Sequence, residues 1–224
     1  MSWDPIWEET FANREWGRYP PEELIRFVAR HFYSAAERHQ VRILEIGCGP
    51  GANIWYLARE GFDAYGIDGS PTAIGKAQAY LQSEGLKGHL TVGDVSDLKQ
   101  IYSESHFDAV VDVGCLVCNS LSEIASILDQ AKAALKPGGR IFSMVLGAGT
   151  WGDGLGRQVE PGTFVDITEG PLVGKGLCHF FSVEEIDTLF GERFGDLQVD
   201  YIHRSCADRD QLIKHWLIEG TKLA

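Results

Sequence analysis

The segment from Val41 to Ala52 constrains the fold of this chain more than any other. An apolar run of the kind found in buried strands, VRILEI, leads into the glycine-rich turn GCGPG and then into a helix that carries Ile54, Leu57 and Ala58. Glycines in such a turn let the backbone approach a ligand closely, and the first N–H groups of the helix face that ligand. A tight turn with no ligand is the alternative, because glycine-rich motifs also occur by chance.

Short apolar runs alternate with amphipathic helices from residue 41 onward. The predicted strands lie near 41–46, 63–67, 89–93, 107–113, 139–146, 197–204 and 215–222. Helix starts are predicted at Ser70, an N-cap followed by a proline, and at Ser182, which forms a capping box with Glu185. This alternation is typical of an α/β fold with a doubly wound, mostly parallel sheet and helices on both faces. We expect an N-terminal helical lid segment over 1–38 and one further unit over 39–224, in a single domain overall.

The first residues favour a helix that packs on the protein body or covers a site. Trp3, Ile6, Trp7 and Phe11 recur at helical spacing, and acidic residues take the opposite face. A helix that lies on a membrane surface would have a basic polar face instead.

Charge and composition exclude several classes of protein. The formal net charge of −12 opposes binding to nucleic acid or anionic lipid, which requires clustered Lys and Arg. An apolar content of 44% is enough to form a core, which excludes disorder. No apolar run is long enough to span a membrane, and the first residues are acidic where a signal peptide is basic. Five cysteines, an odd number, favour reduced thiols, so we expect a soluble, cytoplasmic protein.

Four further motifs follow the glycine turn in order. Asp68 ends the second predicted strand about 20 residues after the first glycine, where an acid accepts hydrogen bonds from a ribose. The other three are GDV at 93–95, FDAV at 107–110 and LKPGGR at 135–140. With these five ordered matches the chain resembles the class I S-adenosylmethionine-dependent methyltransferases, well over 41–146 and loosely over the tail.

The resemblance implies a Rossmann-like seven-stranded sheet whose last strand is antiparallel. It also implies S-adenosyl-L-methionine as cofactor, S-adenosyl-L-homocysteine as product and a small-molecule methyl acceptor. In that family Asp68, with Gly69 beside it, would hold the ribose hydroxyls. Asp94 would face the adenine amino group, Val95 would line the ring, and backbone near Gly114 would meet the methionine ammonium. The glycine loop, with Gly47, Cys48, Gly49 and Gly51, would lie against the methionine moiety. Glu45, two residues before the first glycine, stands where the family has an acid and is also expected to contact the cofactor.

Three alternatives stay open at this point. Gly47, Gly49 and Ala52 also satisfy the dinucleotide fingerprint of an NAD(P)-dependent oxidoreductase. Glu45 and the closer spacing of Gly51 oppose that function, as does the lack of a second mononucleotide-binding half after residue 110. A non-catalytic S-adenosylmethionine-binding module would share the same fold. A protein or tRNA acceptor would require a local basic patch within the acidic total.

Catalysis by this family needs little covalent machinery, because the sulfonium methyl group is already electrophilic. Methyl transfer to oxygen is slightly favoured over transfer to nitrogen, and a hydroxyl acceptor would benefit from a general base. His179 is the candidate base, and a packed histidine without chemistry is the alternative. Arg18 is a candidate partner for the cofactor carboxylate, and Trp16 is a candidate aromatic wall beside the cofactor. The alternative is that both residues only anchor the N-terminal segment.

The glycine-rich stretch 147–176 is expected to cap the acceptor, since long loops in compact domains are functional or disordered. The residues predicted to wall the acceptor or bond its hydroxyls are Trp151, Phe164, Phe181, Glu160 and Asp166. Cys115 and Cys118, together with Cys178 and His179, have spacing that a zinc site could use. Small packed thiols are the ordinary explanation, and we predict no metal.

Overall fold

The computed structural model describes residues 3–223, which form a seven-stranded main sheet and a small three-stranded sheet. The strands are β1 (Arg42–Ile46), β2 (Asp63–Asp68), β3 (His89–Val92), β4 (Phe107–Val113), β5 (Leu135–Leu146), β6 (Arg157–Glu160), β7 (Thr163–Val165), β8 (Cys178–His179), β9 (Gly195–Cys206) and β10 (Gln211–Thr221). The main sheet has the order β3-β2-β1-β4-β5-β10-β9. Strands β1 to β5 are parallel to one another, and β10 runs antiparallel to both β5 and β9.

Seven α-helices within the described residues connect or flank these strands. They are α1 (Ile6–Asn13), α2 (Glu22–Phe32), α3 (Ala52–Arg59), α4 (Pro71–Ser83), α5 (Leu98–Ile101), α6 (Leu121–Ala134) and α7 (Val183–Gly191). The predicted caps are confirmed: the Ser70 side chain accepts a hydrogen bond from the N–H of Ala73, and Ser182 forms a capping box with Glu185. None of the helices within residues 3–223 has the length and apolar content needed to cross a bilayer.

Two apolar layers cover the two faces of the main sheet, because successive strand residues point to opposite faces. Ile43 belongs to one layer and Leu44 to the other. Helix α2 is part of the first layer, where Phe27 stacks on Phe142 of β5 with ring centroids 5.0 Å apart. The predicted doubly wound α/β fold with one antiparallel strand is therefore confirmed.

Several element boundaries differ from the sequence-based expectation. Helix α1 begins at Ile6 because Pro5 takes the N-cap position. Strand β5 begins at Leu135, directly after α6, and a register shift against β4 absorbs the extra residues. The stretch expected to be a loop contains β6 and β7, which pair antiparallel and continue into β8.

Candidate functional site

A cavity of about 220 Å³ lies at the carboxyl ends of the central strands, between the main sheet and the N-terminal segment. The residues that line it are Trp3, Asp4, Trp7, Phe11, Trp16, Gly17, Tyr19, Pro21, Glu45, Gly47, Cys48, Gly49, Ala52, Asn53, Asp68, Gly69, Val95, Val113, Gly114, Cys115, Cys118 and Asn119. Strand β1 has β2 on one side and β4 on the other, so the cavity lies where the strand order reverses. Ligands of open α/β sheets bind at such a point.

The glycine turn after β1 lines this cavity through Gly47 and Gly49. Both adopt positive φ, and a Cβ atom at Gly47 would lie 2.5 Å from the Cβ of Cys115. Gly51 is different, because a Cβ there would lie 2.7 Å from the Cβ of Ala77 on α4. Gly51 does not line the cavity. Gly51 was expected to contact the cofactor. In the structure it allows α3 and α4 to approach each other instead.

Asp68 ties the end of β2 to the glycine turn. Its Oδ2 accepts a hydrogen bond from the N–H of Gly49 at 2.8 Å, and its Oδ1 accepts one from the N–H of Ser70 at 2.9 Å. Burial raises the pKa of Asp68, and these two bonds oppose the shift. Each carboxylate oxygen has two lone pairs, so Asp68 keeps acceptor capacity toward a ligand in the cavity.

Glu45 brings a buried carboxyl group to the cavity wall. Its Oε1 accepts a hydrogen bond from the Nδ2 of Asn53 at 2.5 Å, and its Oε2 is buried without a partner in the described part of the chain. Burial raises the pKa of Glu45 well above its ordinary value, and the negative charges of Asp112 and Asp68 add to that shift. A cationic group in the cavity would compensate this carboxylate. Asn53 was not predicted, although it lies in the first turn of the helix that follows the glycine motif.

The turn after β4 adds a second polar wall. Gly114 has a φ of 83°, and a Cβ there would meet no atom within 4 Å. Asp112 holds the turn, because its Oδ1 accepts hydrogen bonds from the N–H groups of Cys115 and Leu116. Burial raises the pKa of Asp112 to about 7.

Asn119 follows this turn and was also missed by sequence reasoning. Its Nδ2 donates to the carbonyl of Cys115 at 2.9 Å. A carbonyl oxygen accepts but cannot donate, so the atom of the Asn119 amide that faces it is the nitrogen, and the other atom is the oxygen. The Oδ1 of Asn119 is left buried and unpartnered within the described residues. The cavity wall therefore carries a second acceptor besides Glu45.

Three aromatic side chains of the N-terminal segment form the opposite wall. The ring centroids of Trp7, Phe11 and Trp16 lie 5.2 to 6.0 Å apart. Helix α1 is anchored to the start of α4, since the Glu8 carboxylate accepts hydrogen bonds from the hydroxyls of Ser70 and Thr72. These two bonds lower the pKa of Glu8.

Trp3 covers the part of the cavity that the family resemblance assigns to adenine. A Cβ atom at Gly69 would overlap the indole of Trp3. The backbone N–H of Trp3 also donates to the Oδ2 of Asp94 at 3.3 Å. Val95 lines the cavity, whereas Asp94 lies behind Trp3 and caps the turn at Ser96. Gly69 and Asp94 therefore contact the protein's own N-terminal chain.

Two other predicted site residues lie outside the cavity lining. The guanidinium carbon of Arg18 lies 4.4 Å from the ring centre of Tyr80, on the outer side of α4. His179 is fully buried in β8, and its Nδ1 lies 2.7 Å from the hydroxyl oxygen of Thr163. Its Nε2 lies 3.6 Å from the Oε2 of Glu185, and burial lowers the pKa of the imidazole. The base role predicted for His179 gains no support from this position.

The five residues expected to wall the acceptor or bond its hydroxyls, Trp151, Glu160, Phe164, Asp166 and Phe181, do not line this cavity. Phe164 and Phe181 are buried in the core layer instead. The Oε1 of Glu160 accepts a hydrogen bond from the N–H of Leu121 at 2.7 Å, which ties β6 to α6. The remaining two residues, Trp151 and Asp166, also lie outside the lining.

Cys115 and Cys118 line the cavity, and Cys178 is buried. Burial raises the pKa of Cys115 and Cys118 well above the ordinary value, and that of Cys178 to about 12. All three are therefore neutral thiols at pH 7, whereas zinc binds thiolates. Between residues 3 and 223, no three or more His, Cys, Asp or Glu side chains are grouped so that they could hold a metal ion.

Comparisons with known proteins place these features in a family. A family model described as a methyltransferase domain matches residues 43–139. An uncharacterized methyltransferase of Schizosaccharomyces pombe is 40% identical over 73 residues, 33% of this chain and 49% of that protein. A ubiquinone biosynthesis O-methyltransferase of Xanthomonas axonopodis pv. citri is 30% identical over 139 residues, 60% of this chain and 57% of that protein. The chain thus spans about half the length of the curated relatives it matches.

A solved structure is also similar to this chain. The crystal structure of a SAM-dependent methyltransferase from Methanosarcina mazei superposes with a TM-score of 0.67 at 26% sequence identity. The match covers 81% of this chain and 92% of that one.

Proposed function

The chain belongs to the class I S-adenosylmethionine-dependent methyltransferases, and from this premise we propose that it transfers a methyl group to a small-molecule acceptor bound beside the glycine turn. S-adenosyl-L-methionine is the cofactor of this family, and S-adenosyl-L-homocysteine is the product it leaves. One observation carries the proposal. The cavity at the glycine turn holds a buried carboxylate, Glu45, with an oxygen that has no partner in the described chain.

The residues around the cavity suit this cofactor. The ammonium group of the methionine part of S-adenosylmethionine would compensate the charge of the Glu45 carboxylate, because a buried charge requires a partner of opposite sign. Asp68 retains acceptor capacity for ribose hydroxyls, and Gly114 has open space where a side chain would stand. The residues we propose as its cofactor contacts within the cavity are Trp16, Glu45, Gly47, Cys48, Gly49, Asp68, Gly69, Val95 and Gly114.

The cofactor supplies an electrophilic sulfonium methyl, so the protein has to hold the acceptor in line with the bond that breaks. Positioning of this kind is worth up to roughly 7–11 kcal/mol. The aromatic wall of Trp7, Phe11 and Trp16 would keep water away from the methyl group. The buried Oδ1 of Asn119 offers a fixed acceptor for an N–H or O–H group of a bound molecule.

The topology of the sheet argues against the oxidoreductase alternative. A dinucleotide fold continues with a parallel strand after β5, as part of a second mononucleotide-binding half. Here β10 occupies the place next to β5 and runs antiparallel. Residues 3–223 therefore contain no matching second half for the nicotinamide part of NAD(P).

We further propose that residues 1–38 act as a lid on a single domain formed with 39–224, because α1 and the turn after it cover the cavity. A small acceptor is supported by this cover and by the net charge of −12, which opposes polynucleotide binding. Oxygen is slightly favoured as the receiving atom, on the name of the Xanthomonas relative. The cytoplasmic location stays a prediction from composition.

The proposal is tested in two steps. Thermal melting in the presence of S-adenosylhomocysteine or NAD should show stabilisation by the first ligand alone, because a ligand that binds only the folded state raises the melting temperature. Labelled methyl-S-adenosylmethionine is then incubated with a fractionated metabolite extract, and the labelled product is identified by mass. Asp68→Ala serves as the cofactor-binding control. Stabilisation by NAD alone would overturn the assignment, and tight S-adenosylhomocysteine binding with no labelled product would favour the non-catalytic module.

A further inference from the structure

A buried lysine lies behind the aromatic wall of the cavity. Lys175 is only 8% exposed, although it belongs to the stretch that connects β7 to β8 of the small sheet. Its Nζ lies 5.3 Å from the ring centre of Trp7 and 5.1 Å from that of Trp16, and both rings line the cavity. The amine therefore lies beside two rings of the cavity wall, although Lys175 itself is not part of the lining.

The backbone around Lys175 directs it inward. Gly174 and Gly176 have φ values of 69° and 73°, so the chain makes a left-handed turn on each side of the lysine. The N–H of Lys175 donates to the carbonyl of Leu172 at 3.1 Å. A Cβ at Gly176 would lie 2.5 Å from the Oδ2 of Asp4, so a glycine is required for α1 to pack here.

Among the residues that the structure describes, the charge of Lys175 has no counter-ion. Across residues 3–223, its ammonium makes neither an ion pair nor a hydrogen bond, and the two ring contacts are its polar interactions. The groups that affect the pKa of Lys175 are Arg14, which carries a like charge, and the thiols of Cys118 and Cys178. Asp4 faces the same region, but its Oδ1 accepts the N–H of Ile6 and it forms no ion pair with the lysine.

An unpaired ammonium in such a place is costly. Ring contacts of this kind recover only part of the free energy needed to desolvate a cation. Burial accordingly lowers the pKa of Lys175, and the charge of Arg14 lowers it further. A bound anion would remove the penalty, and Cys118 and the two tryptophans connect the lysine to the cavity where such an anion would enter.

Resting on the proposed function, we propose that the methyl acceptor carries an anionic group, a carboxylate or a phosphate, and that Lys175 binds this group. The lysine is a specificity-determining residue in this scheme. In this proposal the anionic group lies beside the aromatic wall, next to Lys175, and the atom that receives the methyl group lies toward Gly114 and Asn119. The acceptor is therefore bifunctional, with a nucleophilic oxygen or nitrogen at one end and an anion at the other.

The first test measures binding without catalysis. The wild-type protein, loaded with S-adenosylhomocysteine, is titrated by calorimetry at pH 7 with acetate, benzoate and inorganic phosphate, and with acetamide and benzamide as neutral counterparts. Acetate or benzoate should bind the wild-type protein roughly tenfold more tightly than its neutral amide does, or phosphate should bind wild type roughly tenfold more tightly than it binds the Lys175→Met variant. At least one of the three anions should show this preference. Lys175→Arg should retain part of the preference, because it keeps the charge.

Lys214→Met is the matched control, because Lys214 also lies over an indole, that of Trp216, but on β10 away from the cavity. This variant should keep the full anion preference. Lys175→Met should melt no lower than wild type without an anion, since it removes an uncompensated charge, and it should gain nothing from added anion. Equal binding of anions and neutral counterparts, binding of no anion at all, or a preference that survives in Lys175→Met would overturn the proposal.

The second test separates this proposal from the methyltransferase activity itself. The metabolite extract is divided by ion exchange into anionic, neutral and cationic pools before labelled methyl transfer. Label should appear in the anionic pool and should be lost with Lys175→Met, while S-adenosylhomocysteine affinity is unchanged. Label in the neutral or cationic pool would overturn the anionic acceptor but keep the methyltransferase. Anion binding that depends on Lys175 with no label in any pool would keep the anion site and overturn the transfer.

Discussion

Asp68 accepts a hydrogen bond from the backbone N–H of Gly49 at 2.8 Å, so the end of β2 holds the glycine turn that follows β1. The same carboxylate accepts the N–H of Ser70 at the start of α4. One side chain thus organises two loops of the cavity wall before any ligand binds. A site arranged in advance loses less conformational entropy on binding.

Replacing Asp68 should therefore weaken ligand binding and stability together. In Asp68→Asn, the amide nitrogen would face one of the two N–H donors, and one charge-assisted bond would be lost. Such bonds are worth about 1.5–3 kcal/mol, so we expect roughly a tenfold or larger loss of S-adenosylhomocysteine affinity by calorimetry, with a lower melting temperature. Asp63→Asn, at the start of the same strand, is the control and should leave the affinity unchanged. Equal losses in both variants would contradict the role given to Asp68.

Gly47 should tolerate alanine poorly because two effects combine. A Cβ would lie 2.5 Å from the Cβ of Cys115 and 2.6 Å from its Sγ, and the φ of 64° is itself unfavourable for alanine. Left-handed strain costs about 1–2 kcal/mol, and overpacking costs typically 1–3 kcal/mol. Gly47→Ala should thus lower the free energy of unfolding by about 2–5 kcal/mol in urea titrations.

A matched pair of variants separates these two effects. Gly85 has a φ of 69°, and a Cβ there would meet nothing within 4 Å, so Gly85→Ala should show the strain alone. Adding Cys115→Gly to Gly47→Ala should restore part of the loss, as a positive coupling in a double-mutant cycle. Additive losses in that cycle would show that the contact with Cys115 is not the cause.

Trp3 is expected to compete with the cofactor for one end of the cavity. The indole of Trp3 lies on Gly69, and the backbone N–H of Trp3 donates to Asp94. These are the two places where adenosine is predicted to bind. Binding would therefore have to displace Trp3, which reduces the apparent affinity by the fraction of molecules in which it is displaced. Trp3→Ala should bind S-adenosylhomocysteine roughly 3- to 10-fold more tightly by calorimetry.

Fluorescence gives an independent measure of the same movement. The difference between wild type and Trp3→Phe should change when S-adenosylhomocysteine is added, because the indole moves into water. Trp55→Ala removes an indole that is outside the cavity lining and should leave the affinity unaltered. Weaker binding by Trp3→Ala would show instead that the indole packs on the bound cofactor.

The raised pKa of Asp112 predicts a contribution to the free energy of unfolding that decreases as the pH rises. Its pKa is raised by burial from 3.8 to about 7, so the folded protein binds a proton that the unfolded chain has lost between these values. Stability from this group is therefore complete below about pH 4 and is lost as the pH rises through about 7. The total is on the order of 4 kcal/mol, since one pKa unit is worth about 1.4 kcal/mol.

Asp112→Asn should remove this component, because an amide keeps the carbonyl acceptor for the N–H groups of Cys115 and Leu116 but does not titrate. Urea titrations from pH 5.5 to 8.5 should show the variant gaining stability relative to wild type as the pH increases. Asp108→Asn, at the opposite end of β4, is the control. Parallel pH profiles for wild type and Asp112→Asn would contradict the raised pKa.

Local patterns allowed much of this site to be predicted. The glycine turn, Asp68 and the cap at Ser70 all lie within about 25 residues of one another, and each depends on its own backbone conformation or on its immediate neighbours. The two residues missed nearby, Asn53 and Asn119, are ordinary in sequence. They matter because a particular oxygen or nitrogen of each is buried beside the cavity.

The sequence by itself determined the strand-turn-helix unit, the alternation that produces the sheet and the resemblance to a methyltransferase family, because hydrophobic period and backbone preference act locally. Tertiary structure alone decided that His179 bonds to Thr163, that Trp3 covers Gly69 and that Lys175 lies behind two tryptophans. Each of these contacts depends on how separate segments meet across the fold. Burial then changes the chemistry, because removing water makes a common lysine or carboxylate require a partner.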